Sequence, residues 1–200
     1  LRGVADAFVR EGRGLGESFS GVGRSMGGTV AAGIAQERSV ARVVLIAPAI
    51  EPGRIPSILD RPLIGLADRL PSMTRRAQPD ATRPDREPGF NSRAVAEILE
   101  LGRSILSQSG REAPRTRDIV TLVNASDRTV NNSVAEALAQ NWSLHGAGVS
   151  VFELPDSLRL PHNIIDPPRG RVADDTMLAM LRELAYGKVP SAIVRRLPVR

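Results

Sequence analysis

The stretch GVGRSMGG, residues 21–28, places Ser25 two residues after Gly23 and two residues before Gly27. The residues that lead into it, ESFSGVG, predict a short strand whose apolar content is diluted by serine and glycine. The residues that follow, MGGTVAAGIAQE, are rich in alanine and begin with small side chains, which indicates a helix packed closely against a sheet. The serine is therefore predicted to lie on a sharp turn between a strand and a helix.

A serine on such a turn has the context of a catalytic nucleophile. Glycine is expected on both sides because the serine backbone is strained and neighbouring segments pass too close for a Cβ atom. The first N–H groups of the following helix would favour the negative charge that develops during acyl transfer. A serine in a flexible loop would explain the glycines but not the flanking elements. We therefore interpret Ser25 as a nucleophile.

The rest of the chain predicts an α/β fold with a mostly parallel sheet flanked by helices. One continuous apolar run and two further strand patterns are typical of buried parallel strands. Helical patterns lie before, between and after these runs; Ser133 and Glu136 form an S-x-x-E capping box at one helix start, and Gly187 ends the last helix. The strand runs are ARVVLIAP (41–48), DIVTLVNAS (118–126) and GVSVFELP (148–155), and the helical patterns include VADAFVREG, SVAEALAQNW and ADDTMLAMLRELAYG.

A serine hydroxyl needs a base to accept its proton, and the base needs an acid to orient it. Asp127 follows the apolar run IVTLV, where a parallel strand releases side chains at the ligand-carrying edge of an open sheet. His162 lies in LRLPHNIID, beyond the last predicted buried strand. The order Ser25, Asp127, His162, each after a different strand, is expected for an acyl-transfer triad in this architecture.

These assignments have alternatives. Asp127 could serve only as a turn or cap residue. Three other aspartates are rival acids: Asp118, Asp156 and Asp166. Asp118 precedes its strand and lies at the wrong end, which leaves Asp156 as the credible rival. His145 is the rival base, although a cation near a helix C-terminus has an ordinary stabilising role.

Composition excludes several kinds of site and partner. The chain contains no cysteine, which excludes thiolate metal sites and cysteine nucleophiles, and its two histidines argue against a multi-histidine metal site. No metal or other cofactor is expected. The net charge is +5, but the arginines are scattered among acidic residues and aromatic residues make up 3% of the chain, so nucleic-acid binding is not expected.

No apolar run approaches the roughly 20 residues that cross a bilayer, and the N-terminal residues lack a signal-peptide pattern. A cytoplasmic protein without a membrane span is expected, although a targeting segment could precede Leu1.

The predicted organisation has a core in two parts, 1–50 and 116–190, with an insertion between them. Residues 51–115 are rich in proline and arginine between two helical patterns, which predicts an inserted helical cap or lid. Residues 191–200 are predicted to be a basic, solvated tail. Apolar positions of the cap either line a binding site or pack on the core, and we favour packing for most of them because an apolar helical stripe is usually core. They are Ile55, Ile58, Leu59, Leu63, Ile64 and Leu66.

On these residues the chain resembles the α/β-hydrolase superfamily, in particular serine esterases and lysophospholipase-like members. The resemblance rests on GRSMGGTVAAGIAQ, ARVVLIAPAI, LVNASDRTV and LPHNIID in their usual order and covers about residues 15–187. It implies that Ser25 is the nucleophile, Asp127 the acid and His162 the general base, with the Met26 backbone N–H in the oxyanion hole. It implies hydrolysis of a small-molecule ester or acyl substrate through an acyl-enzyme, and the acyl class stays open among esters, thioesters, lysophospholipids and peptide amides.

The chain departs from the family's pattern in two places. Arg24 stands where many relatives have histidine, an identity that acyl transfer does not require. The family also has several strands and a second oxyanion donor upstream of the serine, whereas 24 residues precede Ser25 here. A partial α/β-hydrolase fold with an exposed sheet edge is therefore expected. The isolated chain is expected to be a weakened or inactive catalyst unless the missing strands are supplied elsewhere, or a marginal fold that self-associates through that edge. The alternative function is a non-catalytic binding or interaction module.

Overall fold

The computed structural model describes residues 2–14, 18–53, 74–75, 90–164, 174–187 and 194–199. The main sheet has five strands in the order β1-β2-β5-β6-β7, and a separate antiparallel pair joins β3 to β4. Strands β1, β2, β5 and β6 are parallel to one another, and β7 is antiparallel to β6. The strands are β1 Ser20–Arg24, β2 Arg42–Ile46, β3 Thr74–Arg75, β4 Phe90–Asn91, β5 Asp118–Asn124, β6 Gly148–Leu154 and β7 Arg195–Leu197.

The helices of the described part of the chain are α1 Arg2–Arg13, α2 Met26–Glu37, α3 Ser92–Ser109, α4 Asn132–Leu144 and α5 Asp174–Ala185. The alternation of strands and helices confirms the predicted fold class, and each predicted buried strand is present. Gly187 follows α5 with a φ of +81°, which suits glycine at a helix end. None of the described helices is both long and apolar enough to cross a lipid bilayer.

Two hydrophobic clusters cover the two faces of the sheet, because successive side chains of a strand point to opposite faces. In β2, Val43 and Leu45 belong to the cluster under α2, α3 and α4, while Val44 and Ile46 belong to the cluster under α5. All four side chains are at most 1% exposed. The continuous apolar run of β2 is thus explained by burial on both faces.

The capping box predicted for α4 is not formed. The helix begins at Asn132 with Asn131 as its N-cap, and no side chain caps it. The Asn132 side-chain amide donates instead to the backbone oxygen of Asn124 at 2.7 Å, so a tertiary contact holds this helix start. Burial raises the pKa of Glu136, and the nearby charge of Glu153 raises it further.

The segment predicted to be a basic, solvated tail, 191–200, includes a short strand whose two arginines are exposed. Arg195–Leu197 forms β7 and pairs with residues 151–153 of β6. The Arg195 side chain forms an ion pair with Glu153 and is itself 68% exposed. The backbone therefore satisfies the open edge of β6 while the arginine charge stays in water.

Residues 54–73 and 76–89 of the predicted cap, 51–115, lie outside the described residues, and with them its apolar positions Ile55, Ile58, Leu59, Leu63, Ile64 and Leu66. Its last helix, α3, is described and packs against α2, where Ile105 joins the cluster that contains Ala31. A Cβ at Gly102 would lie 2.6 Å from the backbone oxygen of Ile50, so α3 also lies close to the segment after β2.

Candidate active site

Ser25 lies at the turn between β1 and α2, with φ 53° and ψ −120°. Residues other than glycine rarely adopt this conformation, so surrounding contacts must hold it. The Ser25 N–H donates to the Ile46 oxygen at 2.9 Å, and the Ser25 oxygen accepts from the N–H groups of Thr29 at 3.1 Å and Ala49 at 3.0 Å. The strand, turn and helix predicted around Ser25 are all present, and the turn is anchored to β2 and the segment after it.

Glycines around Ser25 allow backbone segments to approach closely, but not at both predicted positions. A Cβ at Gly23 would overlap the backbone oxygen of Gly27. A Cβ at Gly27 would meet nothing within 4 Å, so the steric reason predicted for that glycine is wrong. Gly28 provides the second close approach, because its Cβ would lie 3.0 Å from Cα of Pro48. The sequence pattern thus marked the correct turn and missed one of its close contacts.

His162 lies between Ser25 and Asp127 and forms a hydrogen bond with each. Its Nε2 is 2.8 Å from Oγ of Ser25, and its Nδ1 is 2.6 Å from Oδ2 of Asp127. With the proton on Nδ1, the ring donates to the carboxylate and Nε2 accepts from the serine hydroxyl. The Asp127 side chain is fully buried and that of His162 is 18% exposed. Three residues far apart in sequence are therefore joined in one chain of hydrogen bonds.

The two carboxylate oxygens of Asp127 have different partners. Oδ1 accepts from the backbone N–H of Thr129 at 2.8 Å and of Val130 at 3.4 Å, while Oδ2 is left for His162. Burial raises the pKa of Asp127, but these hydrogen bonds and the charge of His162 lower it by more, so the net pKa lies below its ordinary value. Asp127 thus has the turn role that was considered as an alternative. Its lowered pKa also keeps its carboxylate charged beside the imidazole.

The segment that follows β2 forms backbone hydrogen bonds with the loop that contains Asp127. The N–H of Gly53 donates to the oxygen of Thr129 at 2.9 Å, and the N–H of Asn131 donates to the oxygen of Glu51 at 2.9 Å. A Cβ at Gly53 would lie 2.7 Å from the oxygen of Val130, so glycine is needed for this approach. Gly53 carries no signal in the sequence, because the loop that it contacts lies far away along the chain.

The described rival acids lie away from the imidazole of His162. Asp156 belongs to a short 3-10 helix, and its Oδ1 accepts from Oγ of Ser126 at 2.8 Å. Asp118 begins β5, at the opposite end of the strands from Ser25, and forms an ion pair with Arg42 at 2.9 Å. The third rival, Asp166, lies outside the described residues. Of the candidate aspartates within the described residues, Asp127 is the one that contacts His162.

The rival base, His145, follows the end of α4. Its Nδ1 lies 2.9 Å from the backbone oxygen of Asn141, one turn earlier in the helix. This contact agrees with the helix-end role expected for that residue. Of the two histidines, His162 is the one at Ser25.

Met26 is the first residue of α2, where a backbone N–H has no carbonyl partner within the helix. The positive end of the helix dipole lies beside Ser25, because α2 begins directly after it. Within the described ranges, no three His, Asp or Glu side chains form a group that would hold a metal ion.

No family model and no curated protein matches this sequence, but solved structures do. The monoacylglycerol lipase of Paleococcus ferrophilus matches with a TM-score of 0.62 and 17% identity, over 92% of this chain and 74% of that one. A soluble variant of monoglyceride lipase from Saccharomyces cerevisiae, in complex with a substrate analogue, matches with a TM-score of 0.64 and 13% identity, over 94% and 68%. A metagenome-derived lipolytic enzyme matches with a TM-score of 0.56 and 17% identity, over 91% and 71%. At these identities the likeness concerns the fold, and the fold predicted from the sequence is confirmed.

Proposed function

We propose that this chain, which has a partial α/β-hydrolase fold, is a serine hydrolase that cleaves carboxylic esters through an acyl-enzyme. One observation carries the proposal: Ser25, His162 and the buried Asp127 are linked by hydrogen bonds of 2.8 Å and 2.6 Å. A serine hydroxyl is a weak nucleophile unless a base accepts its proton, and a buried carboxylate orients that base. The arrangement supplies both requirements.

In the proposed reaction, Oγ of Ser25 attacks the ester carbonyl carbon while Nε2 of His162 accepts the hydroxyl proton. The negative charge of Asp127 stabilises the imidazolium that forms. The N–H of Met26 donates to the oxyanion of the tetrahedral intermediate. His162 then gives its proton to the departing alcohol oxygen, and a water molecule, deprotonated by the same nitrogen, hydrolyses the acyl-enzyme.

Monoglyceride and lysophospholipid esters are the first substrates to test. Two of the similar structures are named as lipases of monoacylglycerol or monoglyceride. Each of these candidate substrates is a small molecule with one ester bond to an acyl chain. A panel of p-nitrophenyl esters of increasing chain length would define the acyl preference.

A fluorophosphonate probe tests the nucleophile directly, because it reacts with an activated serine. We expect the wild-type chain to be labelled and Ser25→Ala to be unlabelled. Ser104→Ala is the matched control, since Ser104 is an exposed residue of α3. Equal labelling of the wild type and Ser25→Ala would contradict the assignment of the nucleophile.

A non-catalytic interaction module is the second candidate. The observation in its favour is the outer edge of β1, with which no strand of the described chain pairs. Val22 in this strand is 50% exposed. A folded chain that shows no labelling and forms dimers in light scattering would favour this candidate over the hydrolase.

A further inference from the structure

The side chain of Asn124 holds the loop that carries His162. Asn124 is the last residue of β5 and is fully buried. Its Nδ2 donates to the backbone oxygens of Leu160 at 3.0 Å and Pro161 at 3.1 Å, the two residues directly before His162. Both N–H groups of the amide thus donate to the two residues that lead to His162.

The same residue holds the loop that carries Asp127. Oδ1 of Asn124 accepts from the N–H of Ser126 at 3.1 Å, and its backbone oxygen accepts from the N–H of Asp127 at 2.9 Å. Only one orientation of the amide satisfies these partners, because the reverse would place its oxygen against two carbonyl oxygens. One buried residue therefore joins the two loops on which the imidazole and the carboxylate stand.

We propose that Asn124 is a positioning residue that holds His162 at hydrogen-bonding distance from Asp127. The proposal rests on the proposed function, in which these two residues are the base and the acid. Without the amide, the oxygens of Leu160 and Pro161 lose their donor, and the His162 loop loses its connection to the end of β5. A small displacement of a positioned group is enough to slow a reaction strongly.

Another buried amide provides the control for a merely structural role. Oε1 of Gln36 accepts from Nε1 of Trp142 at 2.7 Å, between α2 and α4. Gln36 lies near the end of α2, roughly 15 Å along the helix from its start beside Ser25 at 1.5 Å per residue. Gln36→Leu therefore removes a buried hydrogen bond without contacting either loop.

The experiment compares Asn124→Asp, Asn124→Ser and Gln36→Leu in the full chain. Asn124→Asp preserves size but places oxygen against the two carbonyls, and Asn124→Ser removes the donors without adding a charge. The first readout is the far-downfield proton NMR signal of the His162 Nδ1–H in its bond to Asp127. The second is kcat and KM for p-nitrophenyl butyrate.

For both Asn124 variants we expect the downfield signal to weaken or vanish and kcat to fall on the order of 10-fold to 100-fold, with KM changed much less. Gln36→Leu is expected to lower Tm but to keep the signal and kcat. The proposal is overturned if either folded Asn124 variant keeps both the downfield signal and kcat. It is also overturned if Gln36→Leu loses the signal and kcat to the same extent as the Asn124 variants.

Failure of the proposed function looks different. In that case the wild-type chain neither hydrolyses the ester nor reacts with fluorophosphonate at Ser25. The NMR signal still reports the bond between His162 and Asp127 in an inactive chain, so the positioning role is tested independently of turnover.

Discussion

Nδ1 of His162 lies 2.6 Å from Oδ2 of Asp127, while the other oxygen of that carboxylate accepts two backbone N–H groups. The carboxylate is therefore held by its own loop as well as by the imidazole. In the proposed triad, a carboxylate held in this way favours the imidazole tautomer that carries its proton on Nδ1.

Replacing Asp127 by asparagine should reduce kcat/KM on an ester on the order of 10³-fold to 10⁴-fold, since an amide can favour the wrong imidazole tautomer. Steady-state kinetics with p-nitrophenyl butyrate would measure the loss. Asp156→Asn is the matched control, because Asp156 is exposed and bonded to Ser126 rather than to His162. An equal loss in the control would argue against Asp127 as the acid.

The lowered pKa of Asp127 predicts a pH dependence of stability. A carboxyl whose pKa is lower in the folded than in the unfolded chain stabilises the fold above the unfolded value, about 3.9, and this stabilisation is lost as the pH falls through the folded value. The free energy of unfolding of the wild-type chain, measured in urea, should therefore exceed that of Asp127→Asn by a larger amount at pH 6 than at pH 3. A difference that stays constant over this range would contradict the prediction.

Gly53→Ala should disturb the site through the Asp127 loop, because the new Cβ would lie 2.7 Å from the oxygen of Val130. The Asp127 loop must then shift, and we expect kcat to fall roughly 10-fold or more. Gly110→Ala is the control, since a Cβ there would meet no atom closer than 3.8 Å. Unchanged kcat in Gly53→Ala would mean that the loop accommodates the methyl group.

The glycines of the Ser25 turn should differ sharply in their tolerance of alanine. Gly23→Ala forces a clash with the oxygen of Gly27 and should lower the free energy of unfolding by roughly 2–4 kcal/mol. Gly27→Ala meets open space in α2 and should raise it by about 0.5–1 kcal/mol, since alanine is the better helix former. Urea denaturation of the two variants measures both changes, and equal destabilisation would refute the contrast.

Local sequence patterns predicted the strands and helices that depend mainly on residues close together in the chain. A continuous apolar run marked β2, because a strand buried on both faces has no polar face to interrupt it, and largely apolar patterns marked β5 and β6. The order of Ser25, Asp127 and His162 could be interpreted as that of a triad, because the carboxyl ends of parallel strands meet at one edge of the sheet.

Features that depend on contacts between distant segments were not predictable. The pairing of β7 with β6 and the approach of Gly28 to Pro48 need the assembled fold. Asn124 carried a weak signal, a polar residue that ends an apolar strand just before the acid. Its partners, Leu160 and Pro161, lie 36 and 37 residues away in the chain.

The two ends of the sheet differ in what they offer to another molecule. β7 is three residues long and carries exposed arginines, a poor template for added strands, whereas β1 is longer and nearly free of charge. If association occurs through β1, two copies related by a two-fold axis would use up each other's available edge. We therefore expect growth to stop at a dimer, with an arginine-bearing strand at each outer end, rather than to continue into a fibre.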